Sequence, residues 1–151
     1  MSIVPSHQRD VARARAGNVR LPAGRAPGPA PAIDAEPPIA TVLVIEECDV
    51  GRDAVCAYLE DLGYLALDAR TVDEAAVLAA HVTVDVVVID GSLVDSGAIA
   101  RLGAGARRAR ILVTRYPEDA PVDGCAALVQ PFTLRGLAAA VREVRAAAPA
   151  P

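Results

Sequence analysis

From residue 40 onward, short aliphatic runs alternate with stretches of helical periodicity, and few folds accept that alternation. The runs at 41–45 (TVLVI), 85–90 (DVVVID), 111–114 (ILVT) and 126–129 (AALV) are short and almost wholly apolar. Such segments read as strands of a parallel sheet covered on both faces. A weaker strand falls at 64–67. Between them, Val55, Tyr58, Leu59 and Leu62 share one helical face that stops at Gly63, and Thr71 with Glu74 forms a capping box opening a helix to about residue 80. A short helix at about 95–102 precedes the fourth strand. The last helix starts near Thr133 and carries Leu134, Leu137, Ala138, Val141 and Val144 at helical spacing. This order predicts an α/β domain over 40–148, a flavodoxin-like, doubly wound, five-stranded parallel sheet. Pro117 and Pro121 leave room only for a shortened fourth helix between the last two strands. With aromatic residues at 3% and no Trp, the core must be built from Ala, Val, Leu and Ile.

Residues 1–39 differ in kind. They hold seven of the twelve Pro and carry a charge of about +2, leaving −6 for the remainder of a chain whose formal charge is −4. Composition predicts a disordered Pro/Ala/Arg-rich tail. An acidic balance argues against nucleic acid or an anionic membrane as the main partner, since positive charge drives both kinds of binding. No charge-free apolar run is long enough to span a bilayer, and the three Cys (Cys48, Cys56, Cys125) show no C-x-x-C spacing, so a cytoplasmic protein is expected. The Arg- and Ala-rich start also looks like a transit peptide, but its Pro density suits an amphipathic helix poorly. All fifteen basic residues are Arg. That excludes Schiff-base chemistry and any catalytic or phosphate-binding lysine.

In a doubly wound sheet, ligands bind beyond the carboxyl ends of the strands. Glu46 and Glu47 follow the first strand, Asp90 ends the third, Thr114 ends the fourth, and Gln130-Pro131 follows the fifth. Clustered carboxylates raise one another's pKa unless a cation neutralises them, and hard oxygen ligands suit Mg²⁺. Acids at strand ends also serve as helix caps, so a divalent-metal site and a capping role both stand on spacing alone. Three other features read more simply. His81 and His7 form no metal constellation, Cys48 beside acids is a poor thiolate, and the 103–108 segment (GAGARR) precedes a strand, so it is a flexible turn with solvated arginines rather than a phosphate loop.

Residues 40–148 resemble the receiver domain of bacterial two-component response regulators. The likeness lies in the hydrophobic first strand followed by Glu46-Glu47 and Arg52, in Asp90 closing DVVVID, in Thr114, and in Gln130-Pro131-Phe132 where the family has Lys-Pro-Phe, usually with a cis Pro. It implies that Asp90 accepts a phosphoryl group from a histidine kinase or phosphotransfer protein. It further implies Mg²⁺ held by Glu47, Asp90 and the backbone carbonyl of Ser92, with Glu46 holding a metal-bound water. Thr114 would donate its hydroxyl to a phosphoryl oxygen and carry the switch towards a downstream protein partner. Such a domain is a signalling receiver and not an enzyme.

The departures from the family pattern matter as much. Gln130 replaces the family's lysine, and an amide offers a neutral hydrogen bond about half as strong as a charge-assisted one. Glu-Glu replaces the usual Asp-rich pair, Val94 stands where the family has Pro, and Ala127 takes the place of the aromatic switch residue. Partner contact is therefore expected at the first or last helix. The alternative reading is a pseudo-receiver, an interaction module independent of phosphorylation; an unrelated metal-dependent hydrolase is disfavoured by the absence of a second Asp two residues after Asp90, of any lysine and of a suitably placed base. With only residues 149–151 after the fold, no output domain is expected.

Overall fold

The computed structural model describes residues 36–147. The expected tail at 1–39 lies almost entirely outside the described residues. Five strands, β1 (Thr41–Ile45), β2 (Leu65–Ala69), β3 (Val86–Asp90), β4 (Arg110–Arg115) and β5 (Ala126–Val129), form one sheet in the order β2-β1-β3-β4-β5. Every pairing is parallel. Four helices accompany them: α1 (Asp49–Asp61), α2 (Val72–Ala79), α3 (Ala98–Arg101) and α4 (Leu134–Ala146). Among the described residues no helix is long and apolar enough to cross a membrane.

Strand alternation divides the core into two layers. Leu43, Ile45, Val87, Ile89 and Val113 lie buried on the side of α2 and α3, while Val42, Val44, Val86, Val88 and Leu112 lie buried on the side of α1 and α4. Each aliphatic side chain of this size, fully buried, contributes about 1.5–3 kcal/mol of transfer free energy. Small residues let the layers close up. The short helical turn Ala104–Ala106 lies so close to α2 that a Cβ on Gly105 would overlap the carbonyl of Ala79. The 103–108 segment is therefore anchored at its centre by Gly105 and buried Ala106, while Arg107 and Arg108 face solvent as expected.

Several elements differ from the sequence reading. Strand β2 runs on to Ala69 because Asp68, a charge that interrupts the apolar pattern, sits at an exposed sheet edge and receives Arg52. In α1, Arg52, Cys56 and Leu59 are the buried residues, and Leu62 is an exposed C-cap. Helix α3 is reduced to four residues because Asp95 acts before it: its carboxylate accepts the Gly97 N–H at 2.8 Å and its carbonyl accepts the Ala98 N–H at 3.2 Å. The largest departure follows β4. The expected shortened helix is absent, and residues 116–125 join β4 to β5 through two turns. Ten residues holding Pro117 and Pro121 cannot both traverse a strand's length and wind a helix, since a parallel crossover usually needs a dozen or more.

Candidate phosphoacceptor site

The carboxyl edge of the sheet is assembled by register. Asp90 and Thr114 are direct partners across β3 and β4, and β3 is the central strand. Thr114 is buried, at 4% exposure. Gly91 follows Asp90 where a Cβ would lie 2.8 Å from the Thr114 carbonyl oxygen, so only glycine lets the chain leave β3 beside β4 at this separation. The chain then turns through Gly91–Leu93, with Asp90 Oδ1 accepting the Ser92 N–H at 2.9 Å.

Glu46 leaves β1 beside this turn. Its Oε1 accepts the Cys48 N–H at 2.9 Å, and the Asp90 carboxyl is near enough for its charge to act on Glu46. Partial burial raises the Glu46 pKa, and the negative charge of Asp90 raises it further, against the opposing Cys48 N–H bond. Neighbouring carboxyls of like charge favour a cation beside them. Glu47 is exposed. Among the described residues no three His, Cys, Asp or Glu side chains gather to hold a metal ion. The pair Glu46 and Asp90, with the Ser92 carbonyl nearby in sequence, still fits Mg²⁺, which is usually held by one or two carboxylates and keeps several waters.

Arg52 fixes the entry to this pair. It is 7% exposed and satisfied on three sides: its NH1 donates to the Glu46 carbonyl at 2.8 Å, Nε to Asp68 Oδ2 at 3.2 Å, and NH2 to Asp49 Oδ1 at 2.6 Å. One buried guanidinium thus ties the exit of β1, the first turn of α1 and the end of β2. On the other flank, Gln130 donates its backbone N–H to the Arg115 carbonyl at 2.8 Å, and the Gln130-Pro131 peptide is cis. A third device clasps the loop after Asp90. Arg101 meets Asp95 in a two-pronged ion pair at 2.9 and 3.0 Å and reaches Asp73 of α2 at 3.5 Å.

The structure therefore places Glu46 near Asp90, bonds the Ser92 N–H to Asp90 and holds Thr114 in register beside them, with Glu47 exposed. The sequence reading missed the work of Arg101 and Gly91. The Asp95-to-Arg101 spacing across a helix start was the available signal for the first, and a glycine directly after a strand-ending acid was the signal for the second.

No protein-family model matches this sequence, and no curated protein matches it either. Solved structures do. The chemotaxis response regulator CheY4 of Vibrio cholerae is 25% identical, with a TM-score of 0.60 over 70% of this chain and 98% of that one. A response regulator from Thermotoga maritima is 23% identical, with a TM-score of 0.57 over 72% of this chain and 98% of that chain. The receiver domain of sensor histidine kinase PA1611 from Pseudomonas aeruginosa, described with a magnesium ion coordinated in its active-site cleft, is 19% identical, with a TM-score of 0.60 over 72% of this chain and 98% of its own. The described residues of this chain thus adopt the CheY-like fold of response regulator receiver domains.

Proposed function

We propose that this chain is a receiver in two-component signalling, accepting a phosphoryl group on Asp90 from a histidine kinase or phosphotransfer protein in the cytoplasm. The observation that carries the reading is the Glu46–Asp90 carboxyl pair at the end of the central strand. In the transfer, an Asp90 oxygen forms a bond to phosphorus as the bond from phosphorus to the donor nitrogen breaks, and the electron pair leaves with that nitrogen. Glu46, Asp90 and the Ser92 carbonyl would hold Mg²⁺, with exposed Glu47 adding acidic charge beside them. Bound there, the ion neutralises charge on the transferring group.

The remaining residues position and read the product. The Ser92 N–H bond fixes the Asp90 carboxylate, and Arg52 holds the Glu46 backbone in place. Thr114 donates its hydroxyl to a phosphoryl oxygen and couples the event to β4. The chain is in this reading a stoichiometric acceptor rather than an enzyme, and its signal passes to a downstream protein partner through α1 or α4.

A second reading, an interaction module independent of phosphorylation, is favoured by Gln130 in place of lysine and by the missing helix between β4 and β5. One experiment separates them. The protein is incubated with Mg²⁺ and acetyl phosphate, and intact mass is compared for wild type and D90A beside a receiver that labels. A phosphoryl adduct on wild type that vanishes in D90A is the expected result. An unlabelled wild type would sink the phosphoacceptor reading and leave the second.

A further inference from the structure

Arg115 follows Thr114 at the end of β4, on the edge that carries Asp90. It packs tightly there: a Cβ on Gly91 would lie 3.4 Å from the Arg115 Cβ and 3.6 Å from its Cα. The residue thus flanks the backbone that leaves Asp90 and, through its carbonyl, the Gln130 N–H as well. Its NH1 donates to the carbonyls of Tyr116 at 3.2 Å and Asp119 at 2.5 Å. Its Nε is different. That atom is buried and has no hydrogen-bond partner.

A buried, unmatched N–H on a cation is costly, and it calls for an acceptor, best an anionic one. Arg52 and Arg101 each have carboxylate partners. Among the described residues, none stands within ion-pair distance of the Arg115 guanidinium. A side chain with a buried, open N–H therefore springs from the strand end beside the exit of Asp90, in a chain without lysine whose β5 exit offers only the neutral Gln130. We propose that Arg115 is the cation that contacts the phosphoryl group on Asp90, supplying the charge Gln130 lacks. The inference rests on the reading of Asp90 as phosphoacceptor. A guanidinium suits the task because its planar fork matches tetrahedral oxyanions, and it remains charged at every working pH.

The test uses wild type, R115Q and R115Q/Q130K with Mg²⁺ and acetyl phosphate, following adduct formation and adduct lifetime by intact mass. Acetate leaves with the electron pair of the broken P–O bond as the Asp90–phosphorus bond forms. R115Q is expected to label roughly ten- to a hundredfold more slowly than wild type, the scale of one charge-assisted hydrogen bond. Q130K is expected to restore most of that rate in the R115Q background. A lysine side chain at the β5 exit cannot replace a staple on the 116–119 loop, so rescue excludes a purely structural role for Arg115. R115Q labelling at the wild-type rate, or a folded R115Q/Q130K no faster than R115Q, overturns the proposal. A wild type that fails to label beside a working control receiver overturns the phosphoacceptor reading and this inference together. If R115Q does not fold, the Arg115 Nε–H resonance of ¹⁵N-labelled wild type decides: it should shift on adding acetyl phosphate, and an unmoved signal in a labelled protein refutes the contact.

Discussion

The two halves of the sheet are built to different standards. In β1 and β3 every residue from Val42 to Ile45 and from Val86 to Ile89 is buried, at 0–3% exposure. In the β4–β5 half the helix that would cover the α2 side is missing. Strand β5 accordingly leaves Ala127 exposed and Val129 at 43%, while Val122 and Cys125 of the connecting loop give partial cover. The carboxyl pair belongs to the well-covered half, and Thr114 and Gln130 belong to the other. Site chemistry and surface architecture are therefore separable in this fold: register alone keeps Thr114 opposite Asp90, whatever covers the strand beyond it.

The sharpest challenge to this contrast is G105A. Because the added Cβ overlaps the Ala79 carbonyl, α2 must move away from the sheet, and the expected loss is about 3 kcal/mol or more in urea unfolding. A loss below about 1 kcal/mol would mean that the covered half is looser than described. Matched truncations compare the halves directly. Ile89→Ala in β3 should cost about 2–5 kcal/mol, whereas Val129→Ala in β5 should stay within about 0.5 kcal/mol. Equal losses would erase the distinction.

The smallest effect is one of reactivity. Burial pushes the Cys56 thiol from 9.0 up to about 12, with Asp68 adding to the shift, and burial also raises Cys125. Since the thiolate is the nucleophile, iodoacetamide at pH 8 should label exposed Cys48 first, half-buried Cys125 more slowly and buried Cys56 last. The sign for stability follows from the same shift. Unfolded Cys56 loses its proton near 9 while the folded residue keeps it to about 12, so its contribution to stability falls as pH rises through that window. Early labelling of Cys56 would show that α1 opens readily.

Much of this was legible in the residues. Strands β1 and β5 fall at the expected positions because uninterrupted aliphatic runs have no competing assignment, and α4 begins after Thr133, whose hydroxyl accepts the Gly136 N–H at 3.0 Å. The capping box of α2 is also present, with the Glu74 carboxylate taking the Arg70 N–H rather than that of Thr71. Other features depend on tertiary placement. The approach of Glu46 to Asp90 depends on the path of the chain after β1, where Arg52 holds the Glu46 carbonyl. The extension of β2 was hidden by Asp68, a charge that local pattern rejects and a cross-element ion pair accepts. The loss of the helix before β5 was only half visible, because prolines announce an interruption without saying what replaces it.

A side chain at residue 91 would press on the Thr114 carbonyl oxygen, so the exit of β3 and the end of β4 run this close together only because residue 91 is glycine. A larger residue there would have to push the turn after Asp90 away from β4. The spacing at the carboxyl edge of the sheet is thus set by one missing methyl group, independently of what covers β4 and β5.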